Sequence, residues 1–208
     1  MIKEEIIAVI RATDKYKGLY KHAEYLPEPY CEDIRNVKAI VLGCDPSNKE
    51  GNTFEKVFDL GNSNRFFWNI ENNLNLIGLS RSDIYMDNLC RNYFTVETSE
   101  NKVWYEIAIG LWVPYQKTEL DKLFPPEIPV LATSHYILKA ICYKKYYTGK
   151  NEEYYNNCLL IKPCQNTLRR TVIPFFRHYY YKLENWPDYA NSFKGMIFGD
   201  TKTTGKFH

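Results

Sequence analysis

The chain has 208 residues, which is enough for one domain with a hydrophobic core and too few for two comfortable ones. Its hydrophobic share of 45% and charged share of 25% are ordinary for a globular protein, and no apolar run is long enough for a membrane span. The formal net charge of +2 excludes a strongly basic footprint over the whole chain, although the 18 Tyr and 11 Phe suit base stacking as well as an aromatic-rich core.

Helix-like and strand-like segments alternate along the chain, which is typical of an α/β protein. In chain order the patterns predict helix 2–13, strand 38–43, helix 64–77, strand 84–89, helices 101–111 and 115–123, strand 129–133, helix 134–142, strand-like pieces 158–161 and 171–176, and helix 188–198. We therefore expect a single domain over residues 1–208. Its fold class would be a three-layer α/β sandwich, with a central, mostly parallel four-stranded sheet flanked by helices.

Capping residues support several of these bounds. Ser63 can begin the helix over 64–77 and Gly78 can end it, while Ser134 can cap the helix that runs to about Cys142. Pro114 suits the first turn of the helix over 115–123. Residues 143–157 form a polar excursion whose structure the pattern leaves open.

The amino-terminal residues lack the basic and apolar regions of a signal peptide. The six cysteines, at positions 31, 44, 90, 142, 158 and 164, include no Cys-x-x-Cys pair. We therefore expect a cytoplasmic monomer with reduced thiols, no membrane partner, no bound metal and no cofactor.

Three strands of the predicted sheet end in polar residues. Asp45 follows the first strand, Asn88 ends the second and His178 follows the last. The carboxyl ends of parallel strands meet at one edge of a sheet, so we expect a carboxylate, an amide and an imidazole to share one cleft. That set suits a planar, amide-bearing ligand together with acid or base chemistry.

The same residues carry a resemblance to a known family. Gly43-Cys44-Asp45-Pro46 at the end of the first strand resembles the water-activating motif of the uracil-DNA glycosylase superfamily. Phe58 stands where that family places a base-stacking Phe, and Asn88 stands where it places an Asn at a strand end. The segment 64–68, Asn-Arg-Phe-Phe-Trp, looks like the mismatch-specific branch, and His178 follows a strand as the family His does. The resemblance covers about residues 36 to 180 in order and spacing.

The resemblance implies a role for each matching residue. Phe58 would stack on a base flipped out of DNA, and Asn88 would read the uracil edge. Asp45 and His178 would be catalytic: Asp45 would orient a water and stabilise the sugar cation, and His178 would hydrogen-bond O2 of the departing base. The remaining implied contacts are Cys44, Pro46 and Ser47 around the base, and Asn64, Arg65, Arg177, Tyr179 and Tyr180 toward DNA. The implied partner is DNA containing uracil or damaged bases.

The chain also departs from the family pattern. Ser47 stands where the best-known branch has a Tyr that excludes the thymine methyl group, and Tyr179–Tyr181 replace the Pro-Ser segment after the His. Three alternatives stay open: the same chemistry on other damaged bases or single strands, a non-catalytic relative that binds a nucleobase, nucleotide or partner protein, and an unrelated α/β hydrolase. Read singly, Asp45-Pro46 is an ordinary turn, Asn88 a cap, Phe58 a core residue and His178 a surface histidine.

Overall fold

Four parallel strands form the centre of the fold in the computed structural model, which describes residues 1–60 and 65–198. The strands are Ala39–Gly43 (β1), Ile84–Asn88 (β2), Val130–Ala132 (β3) and Val172–Pro174 (β4). Their order in the sheet is β2-β1-β3-β4, and every pairing is parallel. All residues of the four strands are buried, as expected for a parallel sheet that is covered on both faces.

Helices flank the sheet, and the predicted three-layer α/β class is confirmed. They are Lys3–Ala12 (α1), Asp14–Lys17 (α2), Arg65–Leu76 (α3), Trp104–Ile107 (α4), Val113–Leu123 (α5), His135–Ile141 (α6), Asn151–Asn156 (α7) and Pro187–Phe198 (α8). The hydroxyl of Ser134 accepts a hydrogen bond from the Tyr136 N–H, so the predicted cap of α6 is confirmed. Gly78, at a φ of 80°, ends the turn after α3 as predicted.

One continuous helical stretch replaces the two helices predicted over 101–111 and 115–123. A π-helical segment, Ala108–Trp112, joins α4 directly to α5. Pro114 lies in the first turn of α5, as predicted, and has no N–H to donate to the preceding turn. The wider π turn directly before it lets the helix continue without that hydrogen bond.

The strand-like piece predicted over 158–161 is wrong. Cys158 takes a left-handed backbone (φ 48°), and the Leu159 N–H returns 2.8 Å to the Tyr154 carbonyl, which closes the end of α7. Only Ile161 pairs with the sheet, through a single antiparallel bridge to Val172. Of the four residues only Ile161 is buried, and Leu159 is 37% exposed, so the apolar composition of this run does not mark a buried strand.

A buried arginine ties the last part of the chain to the helical stretch. Arg170 is 1% exposed, and its guanidinium donates to the carbonyls of Leu120 (2.9 Å), Phe124 (2.7 Å) and Pro125 (2.5 Å). The Phe124 and Pro125 carbonyls lie just beyond the end of α5, whereas the Leu120 carbonyl also accepts the Phe124 N–H at 2.9 Å. Arg170 therefore caps the end of α5 with its side chain and joins that helix to β4, the strand that begins two residues after Arg170.

Candidate functional site

The sheet order places a topological switch point between β1 and β3. The chain passes from β1 to β2 on one side, and then crosses to β3 on the other side of β1. Ligands of open α/β sheets bind outside the carboxyl ends of the strands at such a point. Thr133, which follows β3, donates from its N–H (3.1 Å) and its hydroxyl (2.8 Å) to the Leu42 carbonyl. These bonds hold the two strand ends side by side, with Cys44 and Asp45 at the edge.

Phe58 and Asn88 meet against Gly43, the last residue of β1. Gly43 pairs in register with Asn88, and a Cβ atom at position 43 would overlap the Asn88 Oδ1 atom and lie 2.8 Å from Phe58 Cζ. Phe58 has a φ of 61° and a ψ of 14°, a left-handed backbone that is rare for a side chain of this size. Such strain costs on the order of 1–3 kcal/mol and clusters at functional sites. The strained turn brings the Phe58 ring to the same glycine as the Asn88 amide.

The backbone of Asn88 is held on both sides by its neighbours. Its N–H donates to Asp87 Oδ1 at 2.8 Å, and its carbonyl accepts from Gln116 Nε2 at 2.6 Å. Among the residues that the structure describes, none forms a hydrogen bond with the Asn88 side-chain amide. The residue is only 4% exposed, so its amide is an oriented donor and acceptor pair in a largely dry place.

A buried ion pair lies behind Asn88. Asp87 is fully buried and accepts from Arg91 Nε at 2.9 Å, from the Arg91 Nη2 group and from Gln116 Nε2 at 3.1 Å. Burial raises the pKa of Asp87, while the Arg91 charge and these hydrogen bonds oppose that rise. Arg91 also packs over the Tyr115 ring at 5.4 Å. The network fixes the end of β2 and so the position from which the Asn88 side chain projects.

The Asp45 carboxyl is held by residues from two segments. The Ser47 N–H donates to Oδ1 at 2.9 Å, and the Thr98 hydroxyl donates to Oδ2. Burial raises the pKa of Asp45, and the hydrogen bonds from Ser47 and Thr98 partly oppose that rise. A raised pKa makes this carboxylate a stronger base than an exposed aspartate. In the described part of the chain, the buried Trp104 Nε1 has no hydrogen-bond partner of its own.

Two thiols lie beside Asp45. Burial raises the pKa of Cys44 to about 11 and that of Cys90 well above its usual value, and the Asp45 charge adds to both shifts. The positive charge of Arg177 acts on the pKa of Cys44 in the opposite direction. Both thiols are protonated at neutral pH, so neither is an activated nucleophile.

His178 lies on the surface and faces its own loop. It is exposed, its Nδ1 accepts from the Tyr180 N–H at 3.4 Å, and its ring lies 4.5 Å from that of Tyr179. Within residues 1–60 and 65–198, no hydrogen bond or ring contact links it to Asp45, Phe58 or Asn88. The structure therefore brings Phe58 and Asn88 together at Gly43, two residues before Asp45, whereas the contacts of His178 lie within its own loop.

The predicted DNA contacts fall in several places. Arg177 is at the carboxyl edge, where its N–H donates to the Thr133 carbonyl at 3.1 Å, and Tyr179 and Tyr180 are exposed. Asn64 and the side chain of Arg65 lie outside the described residues. Pro46 is buried, and Ser47 accepts from the Phe94 N–H at 2.6 Å, so Ser47 supports the loop around Asp45.

Thr98 and Gln116 are site residues that the sequence reasoning missed. Thr98 bonds Asp45 across 53 positions, and no local pattern reveals a partner at that separation. Gln116 offered one signal, because it is a fully buried polar residue on a helix whose other buried residues, Val113 and Leu120, are apolar. A polar residue on such a face usually holds another buried polar group.

A polar cleft of about 490 Å³ lies elsewhere on the surface. It is lined by the start of α6 and by α7, including His135, Lys150, Glu153 and Tyr181. Its lining does not include Asp45, Phe58 or Asn88. The Gly43 backbone lies against both Phe58 and Asn88 and closes one side of their site.

No protein-family model and no curated protein sequence matches the chain. Within the ranges 1–60 and 65–198, no helix has the length and apolarity to cross a membrane, and no group of His, Cys, Asp and Glu could hold a metal ion. The functional assignment therefore depends on the residues at the carboxyl edge of the sheet.

Proposed function

We propose that the protein is a DNA glycosylase that hydrolyses the N-glycosidic bond of uracil, or of a related damaged base, after the base leaves the stack. The observation that carries the proposal is the meeting of the Phe58 ring and the Asn88 amide at Gly43, next to the buried Asp45 carboxyl. An enzyme that acts on a base must hold it flat and read its edge before it breaks a bond to the sugar.

Recognition would use Phe58 and Asn88. A base stacked on an aromatic ring gains about 1–3 kcal/mol, whatever its sequence context. The Asn88 amide can accept from N3–H of uracil and donate to its O4, whereas cytosine presents the opposite pattern at these two positions. Because the backbone of Asn88 is held at both its N–H and its carbonyl, the amide would meet the base without reordering the strand end.

Bond breaking would use Asp45. As a carboxylate it accepts a proton from a water whose oxygen bonds to C1′ of the sugar, while the electrons of the glycosidic bond leave with the base. Burial favours this role, because it raises the pKa of Asp45 and so strengthens it as a base. The proposed donation from His178 to O2 of the departing base rests on the family resemblance alone.

The experiment is a strand-scission assay on labelled oligonucleotides that contain one uracil, in single-stranded and duplex form, followed by alkaline cleavage. The wild-type protein is expected to release the base and yield a cut strand. Asp45→Asn is expected to lose most of that activity while it keeps its affinity for the DNA. The proposal would be contradicted if the wild-type protein cut none of the substrates more than Asp45→Asn does.

A second candidate is a nucleobase-binding protein without catalysis. Two observations favour it: both oxygens of Asp45 already accept protein hydrogen bonds, and His178 faces its own loop. On this reading the Phe58–Asn88 site would bind a base, and Phe58→Ala would weaken binding, but no variant or substrate would give a cut strand. The same assay, run beside a binding titration, separates the two functions.

A further inference from the structure

Three exposed rings lie against one another directly after β4. They belong to His178, Tyr179 and Tyr180, which we call the aromatic ladder. Their centroids are 4.5 Å apart for His178–Tyr179, 5.0 Å for His178–Tyr180 and 4.1 Å for Tyr179–Tyr180, with interplanar angles between 24° and 33°. Tyr179 is 54% exposed and Tyr180 is 64% exposed. A group of exposed aromatic rings indicates a binding surface, whereas single exposed apolar residues are common on any protein.

The loop that carries the aromatic ladder is anchored from below. The next residue, Tyr181, turns inward and packs 5.1 Å from the rings of both Tyr155 and Phe176. The buried Asn73 donates to the Tyr181 carbonyl at 3.2 Å and accepts from the Leu183 N–H at 2.9 Å. These contacts hold the backbone of the loop in place, which lowers the entropic cost of binding a ligand to the exposed rings.

A tryptophan and two cations extend the same surface. Trp68, on α3, is 57% exposed, and Lys182 Nζ lies 5.9 Å from the centre of its ring. Arg177, the residue before the aromatic ladder, is exposed, and its carbonyl accepts from Asn69 of α3 at 3.5 Å. One acid lies near, since Glu184 pairs with Lys182 at 3.4 Å. Flat rings beside positive side chains complement the bases and phosphates of a nucleic acid.

We infer that the aromatic ladder and Trp68 form a stacking surface for single-stranded DNA, on which the bases that flank the reacting nucleotide rest. Bases in a duplex already stack on each other and offer no free face, whereas those of a single strand do. The modest net charge of +2 fits this ligand better than a duplex, whose tight binding needs many phosphate contacts. The inference rests on the proposed function only in taking DNA as the ligand.

The surface adjoins the candidate site. Phe67 precedes Trp68 on α3, and its ring lies 6.4 Å from that of Phe58. Arg177, the residue before the aromatic ladder, donates its N–H to the carbonyl of Thr133, just after β3, at 3.1 Å. A strand stacked on the ladder would therefore reach the edge of the sheet where Asp45, Phe58 and Asn88 lie.

The test is fluorescence anisotropy with a labelled oligothymidine and with the matching duplex, using the Asp45→Asn protein so that no bond is cut. Tyr179→Ala and Tyr180→Ala are each expected to weaken single-strand binding by about 5- to 160-fold, the equivalent of one lost stacking contact. Tyr180→Trp should keep the affinity, and Tyr180→Leu should lose it as Ala does. Tyr25→Ala is the matched control, because Tyr25 is 52% exposed and lies outside the ladder.

Unchanged binding in both Ala variants, or full retention by Tyr180→Leu, would overturn the inference, since leucine keeps apolar contact but cannot stack. An equal loss on duplex and single strand would also overturn it. The failure of the proposed function looks different: ladder-dependent binding would persist while the wild-type protein cuts no strand. Scission of uracil-containing DNA by ladder variants at wild-type affinity would sink the inference and leave the proposed function standing.

Discussion

The side-chain oxygen of Asn88 lies directly over Gly43, its register partner in the neighbouring strand, where any Cβ atom would overlap it. The Phe58 ring approaches the same glycine from the adjoining turn, so the two groups share the space that a side chain at position 43 would fill. Gly43 is needed here for close approach rather than for an unusual backbone angle. The missing side chain is what lets a ring and an amide approach the same glycine so closely.

Gly43→Ala is expected to destabilise the protein by about 1–3 kcal/mol, because the added methyl group must displace Asn88 or Phe58 in a packed region. The same change should remove base binding. Urea unfolding measures the first effect and the strand-scission assay the second. Gly110→Ala is the matched control: no atom lies within 4 Å of its Cβ, so Ala should be neutral or stabilising by up to about 1 kcal/mol. Equal stability of both variants would show that position 43 is not tightly packed.

Asn88→Ala is expected to weaken discrimination between uracil and cytosine by about 1–3 kcal/mol, because the amide that reads the base edge is lost. The fold should persist, since Asp87 and Gln116 hold the backbone of residue 88 rather than its side chain. The measurement is the ratio of scission rates on uracil- and cytosine-containing strands. Asn36→Ala, in an exposed turn, is the control and should leave the ratio unchanged. An unchanged ratio in Asn88→Ala would remove Asn88 from base recognition.

Arg91→Ala is expected to cost about 3–5 kcal/mol of unfolding free energy, because it leaves the Asp87 carboxylate buried without its cation. Lys117→Ala breaks an ion pair of the same sequence spacing, with Asp121, but on the surface. Exposed pairs contribute about 0.3–0.5 kcal/mol, so that variant should be close to wild type. Urea unfolding at neutral pH compares the two, and similar losses would mean that the Asp87 site is well hydrated.

The stability of Asp45→Asn relative to wild type is expected to rise with pH. Burial raises the folded-state pKa of Asp45 above its unfolded value of about 3.9, so folding favours the protonated form. In the wild type, the contribution of Asp45 to the free energy of unfolding is largest below the pKa of Asp45 in the unfolded chain. It is lost as the pH rises through the pKa of Asp45 in the folded protein. Asparagine does not ionise, so the difference between the two proteins should grow over that window and then level off. Urea unfolding from pH 4 to about pH 8 measures it; a constant difference would mean that Asp45 titrates as in the unfolded chain.

The sequence by itself determined much of the fold, because strands, helices and their caps depend on local patterns. The apolar run at 38–43, the cap at Ser134 and the turn at Gly78 all predicted elements that the structure contains. The parallel sheet also followed, since alternating elements leave few other arrangements. Residues 158–161 misled this reasoning, because a short apolar run has the pattern of a buried strand even where, as here, only Ile161 is buried.

Only the tertiary structure decided which polar groups meet. Asp45 bonds Thr98, Asn88 is held by Gln116, and both partners come from segments far along the chain. The orientation of His178 likewise depends on Tyr181, whose inward packing turns the preceding rings toward solvent. Local sequence sets backbone preferences over a few residues, whereas a side chain's partner depends on how distant segments pack. The sequence therefore predicted the edge of the sheet that Asp45 and Asn88 share, and packing determined that Phe58 and Asn88 meet at Gly43 while His178 does not.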